Sequence, residues 1–347
     1  GLDLVVNALV HQITPVLAVV VWAACGPRDQ LDRRLIPSAL VIPIIWIILT
    51  LLRGAVIDAY PYGFINVVHL GYAMAIVNEP GSWDAVYPPL LHAEWNGVTP
   101  ADWIFPFFLF IVGVSVAFAF GKYIEVKATP AVYLKVLRRT ALLFALGLLL
   151  NVFPIYNLWT GLWFQPSQTR IMGVLQRIAI CYAVAALLAI HTRWRTQAAI
   201  ASILLLGYWL LMTLVAVPGC RPAMMLDPSC NLAGYIDAAV LGNAHIWSQS
   251  TGADPEGLLS TLPAIATTVL GLLAGRSLRS AEKKNLIWLL CGGAGLFALG
   301  WLWGISFPLN KTLWTSSYVL YTGGLAMTCL AIVHWLVDVA GYRKWAT

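Results

Sequence analysis

The stretch LLHAEWNGVTPADWIFPFFLF, residues 90–110, sets His92 beside Glu94 and Asp102, and then charge gives way to a long apolar run. Histidine ordinarily titrates near neutrality, so it can take and return a proton at modest driving force. Upstream, Asn78 offers an amide donor able to hold a developing oxyanion. The same loop carries Glu79, Asp84, Trp95 and Asn96. The chemistry these types allow is proton transfer coupled to negative charge building on an oxygen. Two further segments bring acids and amides, NLAGYIDAAVLGNAHIW with Asn231 and Asp237, and DPEGLLSTLPA with Asp254 and Glu256. Glu94, Asp102, Asp254 and Glu256 are the candidates for binding a substrate. Arg177 and Gln176 open the apolar run of TRIMGVLQRIAICYAVAALLA. Ionisable groups at the mouth of a bundle are costly and mark functional sites, with snorkelling to the interface as the structural alternative for Arg177. Asp102 has such an alternative too. Thr99-Pro100-Ala101-Asp102 reads as a helix start, with a capping residue, an early proline and an acid in the first turn.

Other chemistries lack their residues. His92-Ala93-Glu94 matches the HxE of zinc deaminases, but no PCxxC follows. HExxH, GxSxG, a P-loop and a strand-associated GxGxxG are all missing. The six histidines are scattered with no pair at i, i+4, so no metal site is expected.

The elements that must position these groups are membrane helices. Of 347 residues 60% are hydrophobic and 10% charged, against about 25% charged in soluble domains. Such a chain cannot cover a globule with polar surface, and an all-α, polytopic transmembrane bundle is expected. Ten apolar stretches are long enough to span: roughly 6–25, 36–53, 61–78, 103–121, 137–153, 171–190, 197–217, 259–275, 285–305 and 313–339. The net charge of +6 lies in short loops rather than a basic stripe, which excludes nucleic acid and sets orientation. Loops 121–139, 191–196 and 276–284 and the tail hold thirteen Lys and Arg, whereas 79–102, 153–170, 218–258 and 306–312 hold only Arg170, Arg221 and Lys311. The first set is expected in the cytoplasm and His92 outside. The first 72 residues conflict with this, because Arg28, Arg33 and Arg34 fall in a loop that would be external. No basic n-region or cleavage site precedes the first apolar run, so no cleavable signal peptide is expected. Gly271–Gly275 and the cluster Gly292, Gly293, Gly295 suggest close helix packing. Cys220 and Cys230 share one loop and could pair if it faces an oxidising compartment.

From about residue 74 onward the chain resembles the heparan-α-glucosaminide N-acetyltransferase family and its bacterial relatives. The matching stretches, in order, are MAIVNEPGSWDAVYPPLLHAEWNGVTPADWIFPFFLFIVGVS, LRRTALLFALGLLLN, RIMGVLQRIAICY, NLAGYIDAAVLG, DPEGLLSTLPAIATTVLGLLAG and FPLNKTLWTSSYVLYTGGLA. The resemblance implies transfer of an acetyl group from cytosolic acetyl-CoA to a glucosamine-type amino sugar across the bilayer. It implies a catalytic role for His92, as general base or transient acetyl carrier, with Asn78 on the acetyl carbonyl. Arg177 and Gln176 would then hold cofactor or acceptor. The expected setting is a bacterial inner membrane, and a homodimer is compatible with it. Phe64 and Val67 stand where that family has Asp and Arg, and family members continue beyond the point where this chain stops. Residues 1–72 resemble instead part of a small uncharacterised membrane family, which implies a fusion joined to a C-terminally shortened core, residues 73–347. The competing readings are a transporter or channel with acids lining a path, and an inactive remnant.

Overall fold

The computed structural model describes residues 91–341 other than 125–126, 153–155, 158–161, 164–165, 221–225, 248–251 and 280–282. The chain divides into two compact units, Gly1–Leu91 with Leu336–Thr347, and His92–Trp335. Of the first, the described residues are Leu91 and 336–341. The expected spans 6–25, 36–53 and 61–78, the junction with residues 1–72, and Asn78 all lie outside the described residues.

The second unit is helical. Its helices are α1 (Pro100–Phe120), α2 (Pro130–Val152), α3 (Val174–His191), α4 (Trp194–Leu214), α5 (Leu232–Leu241), α6 (Thr261–Arg279), α7 (Lys283–Trp303) and α8 (Ser316–His334). Two short antiparallel pairs interrupt them. They are β1 (Tyr156–Asn157) with β2 (Leu162–Trp163), and β3 (Leu226–Asp227) with β4 (Cys230–Asn231). Six helices are long and apolar enough to cross a membrane: α1, α3, α4, α6, α7 and α8. The expectation of ten is therefore met by six among the described residues. The one remaining stretch among the described residues, 137–153, belongs to α2, which starts earlier and carries Lys135, Arg138 and Arg139 in its first half. Its uninterrupted apolar part begins only at Thr140.

The core is organised around α6, in which almost every residue from Thr261 to Gly275 is buried. Helix α1 lies along α6, and α7 along α8. The first contact is close because it has no side chain in the way. A Cβ on Gly271 would fall on the carbonyl oxygen of Phe110, and one on Gly113 on that of Thr268. Without a hydrophobic drive between helices in lipid, such backbone approach supplies dispersion contact that larger residues prevent. At α7–α8 the same role falls to Gly293 and Gly324. Gly295 meets nothing within 4 Å, so the cluster at 292–295 divides into one packing position and neighbours without that role.

The beginnings of α1, α3, α6 and α8 gather at one end. Tyr318 Oη donates to the Asp102 carbonyl at 2.6 Å. Arg177 Nη2 donates to Gly257 O at 3.2 Å and to Ser260 Oγ at 2.5 Å, just ahead of α6. At the other end, basic side chains cover late carbonyls: Arg276 donates to Thr192 O at 3.2 Å and Arg279 to Ala117 O at 3.1 Å. Cations there oppose the negative ends of α1 and α3. At the site end lies a disulfide between Cys220 and Cys230, with Cα atoms 5.7 Å apart.

Candidate active site

His92 sits on the loop that enters α1, and two neighbours hold that loop. Gly97 N–H donates to Leu309 O at 2.8 Å, and Trp95 Nε1 donates to Leu226 O at 2.9 Å. Gly97 has φ +106°, a backbone that glycine adopts without steric cost. The imidazole is 59% exposed, and its Nδ1 lies 2.7 Å from Oδ1 of Asp102, whose side chain is 1% exposed. The other carboxylate oxygen accepts Ala93 N–H at 3.1 Å, Thr99 N–H at 3.0 Å and Thr99 Oγ1 at 3.1 Å. One residue thus does two jobs. Asp102 fixes the helix start, as its position after Thr99 suggests, and it also orients His92. An ionised carboxylate only accepts, so it fixes the proton on Nδ1 and leaves the Nε2 lone pair for chemistry.

A third member comes from the loop before α8. Lys311 Nζ lies 3.1 Å from Nδ1 and 3.2 Å from Nε2 of His92, and 3.5 Å from Oδ1 of Asp102. Burial pulls this ammonium below the ordinary lysine value, with Asp102 and Glu256 opposing the shift. Its loop is rigidly held. Asn310 Nδ2 donates to Asn96 Oδ1 at 3.2 Å, and Asn310 Oδ1 accepts Leu313 N–H at 2.8 Å. Trp314 follows, fully buried at φ +52°. A bulky side chain in that left-handed region costs about 1–3 kcal/mol and persists only where its surroundings over-determine it. Here they do: the indole donates to Thr267 Oγ1 at 3.1 Å, packs edge-on against Phe105 and Tyr318, and faces the Arg177 guanidinium at 5.0 Å.

The remaining candidates form a second polar group on the same four helix beginnings. Arg170 binds Asp254 through both Nε and Nη2 and reaches Oε2 of Glu256 at 2.5 Å, with its guanidinium 4.8 Å from the Trp247 ring. Asp254 also accepts Trp247 N–H and Glu256 N–H, each at 2.9 Å. Its oxygens are therefore fully engaged within the protein. Glu94 is exposed beside His92. Arg177 is completely buried, which removes snorkelling as its explanation, and its Nε and Nη1 have no hydrogen-bond partner. Gln176 points elsewhere, its amide lying against Gly147 of α2 and Gly173. The structure brings His92, Asp102, Arg177, Asp254 and Glu256 to one end of the bundle and turns Gln176 to another face. Asn231 caps α5, accepting Gly234 N–H at 2.7 Å. Among the described residues no cluster of His, Cys, Asp and Glu could hold a metal ion.

Asp237, on α5, is buried beside Gly257. Its Oδ1 accepts Leu258 N–H at 2.8 Å and its Oδ2 has no partner. Burial raises its pKa from 3.8 to about 6. The folded state therefore holds this proton more tightly than the unfolded chain does. The stabilisation is fully present below the ordinary value and is lost as pH rises through about 6. Asp237→Asn is expected to melt above the parent at pH 7.5, by about 2 kcal/mol equivalent, to keep about half of that advantage at pH 5, and to lose most of it by pH 4. Melting curves followed by tryptophan fluorescence test this, and a gap that does not change with pH would count against it.

Helices of this length around one polar end define a polytopic membrane protein with a histidine–carboxylate–lysine centre. The profile of DUF5009, a domain of unknown function, matches residues 58–254, and the chain belongs to that family. It is also similar to the human heparan-alpha-glucosaminide N-acetyltransferase, at 32% identity in an alignment covering 72% of this chain and 45% of the human protein. The mouse protein of the same name is 30% identical with the same coverage. The chain thus matches less than half the length of these relatives.

Proposed function

We propose that this chain is a membrane N-acetyltransferase core that moves an acetyl group from acetyl-CoA to the amine of a glucosamine-type sugar. The observation that carries the reading is the exposed His92 imidazole, set by the buried carboxylate of Asp102, in a chain similar to proteins named for that activity. An amine attacking a thioester must shed a proton, and the Nε2 of His92 is placed to receive it or to carry the acetyl group itself. Asn78 is assigned to the acetyl carbonyl. Arg177 is assigned to the donor, since a buried guanidinium with two unpartnered N–H-bearing nitrogens can take a carbonyl or an anion. Gln176, Glu94, Asp254 and Glu256 are held as secondary contacts, the last two through their pairing with Arg170.

His92 is placed on the outer face of a bacterial inner membrane, with the donor entering from the opposite, basic side. The disulfide in the loop that charge counting puts outside supports this. So does a cavity of about 300 Å³ between α1, α2 and α3, with Phe120, Arg139 and Tyr182 in its wall towards the basic end. Purified full-length chain given labelled acetyl-CoA and glucosamine is expected to form labelled N-acetylglucosamine. Binding of acetyl-CoA without any transfer to amino sugars would reject the proposal.

A further inference from the structure

We propose that Lys311 is a catalytic residue of this centre, whose ammonium holds the oxyanion that develops on the acyl carbonyl. The inference rests on the acyl-transfer reading of the His92 site. No sequence motif points to Lys311, which lies 219 residues from His92. The geometry does so in three ways.

First, Nζ is all but equidistant from the two ring nitrogens, at 3.1 and 3.2 Å. Equal distances to two nitrogens of one ring put Nζ over the ring and off the axis of the Nε2 lone pair, so the lone pair stays open. A carbonyl carbon meeting that lone pair, or an amine poised beside it, brings its oxygen within hydrogen-bond reach of Nζ. Second, Lys311 Nζ is closer to both ring nitrogens than to Oδ1 of Asp102, from which it stands 3.5 Å away, so the ring and not the carboxylate is its nearest contact. Third, the charges balance. At rest Asp102 and Lys311 cancel. A cation beside a base disfavours its protonation, which would be self-defeating for a plain proton acceptor. If the imidazolium forms together with an oxyanion, the group stays neutral throughout.

In the direct route the amine nitrogen bonds to the carbonyl carbon as its proton passes to Nε2, and the carbonyl electron pair moves onto oxygen beside Lys311. The pair then returns, the carbon–sulfur bond breaks, and the departing thiolate takes the proton from Nε2. Lys311 keeps its own proton throughout. Donors preorganised where charge develops are typically the largest electrostatic contribution to acyl transfer. The pinned loop from Leu309 to Trp314 supplies that preorganisation.

Diethyl pyrocarbonate provides a test that does not require acetyl transfer. It acylates an imidazole nitrogen through the same kind of oxyanion, the ring taking the ethoxycarbonyl group while ethyl carbonate leaves. Full-length parent, Lys311→Met and Lys311→Arg, in detergent at neutral pH, would be labelled and the modification of His92 compared with that of His245 by mass spectrometry. The expected result is a His92 rate about tenfold lower in Lys311→Met, a smaller loss than in enclosed oxyanion holes because His92 is open to water, with most of the rate kept in Lys311→Arg. Unchanged labelling in Lys311→Met would overturn the proposal. So would equal losses in both variants, which would mark packing rather than charge, or a parent His92 that does not react at all. A parent that shows this gradient but transfers no acetyl group would leave Lys311 standing and remove the functional reading.

Discussion

Replacement of His92 by alanine is expected to abolish acetyl transfer while leaving acetyl-CoA binding intact. The imidazole is the one group of the centre that is both exposed and oriented by a buried carboxylate. General-base contributions run to about 10²–10⁴ in rate, and a covalent acetyl-histidine route would lose more. The fold is expected to tolerate the change. Asp102 keeps its bonds from Ala93 and Thr99 and its approach by Lys311, so no buried charge is stranded. Transfer of labelled acetyl to glucosamine, with donor binding measured in parallel, reads the result. A loss of less than about tenfold, below the range for a general base, would make His92 structural.

What the sequence made legible was whatever is local. The helical stretches, the helix start at Thr99–Asp102 and the closeness of Cys220 to Cys230 depend on residues near one another in the chain. What it hid was pairing over distance. Asp102 reads as a cap because Thr99, Pro100 and Ala101 before it make a helix start, and nothing in the spacing shows that its second oxygen meets a histidine ten residues away. Arg177 looks like a residue reaching for the interface, because a sequence cannot say that Trp314, Gly257 and Ser260 enclose it. The loop 218–258 appears as polar connection, yet it contains β3, β4 and α5, elements too short for any periodicity to register.

One signal was present and unused. From residue 79 onward only three basic residues fall in the loops expected outside, and the two that are described, Arg170 and Lys311, both belong to the site. Where orientation selects against Lys and Arg, those that remain have a local reason to be there. Exceptions to the charge rule therefore point to function more sharply than the acids did, which are abundant in the same loops.

Asp102→Asn is expected to cost nearly as much as loss of His92, through the position of one proton. In the parent, Oδ2 accepts three donors, from Ala93, Thr99 N–H and Thr99 Oγ1. An asparagine must therefore place its carbonyl oxygen there, and its NH2 group falls at the Oδ1 position, 2.7 Å from Nδ1 of His92. Two donors cannot face each other, so Nδ1 becomes the acceptor and the imidazole proton moves to Nε2. The ring stays in place, but the lone pair needed for chemistry is occupied. The cap survives, but Lys311 loses its nearest counter-charge and keeps only Glu256, so a modest fall in melting temperature is expected, while the transfer rate falls about 10²–10⁴-fold at unchanged donor affinity. Nitrogen NMR of histidine-labelled protein reads the tautomer directly, with the His92 proton passing from Nδ1 to Nε2. An Asp102→Asn protein with the Nε2–H tautomer and undiminished transfer would show that the Nε2 lone pair has no part in the reaction.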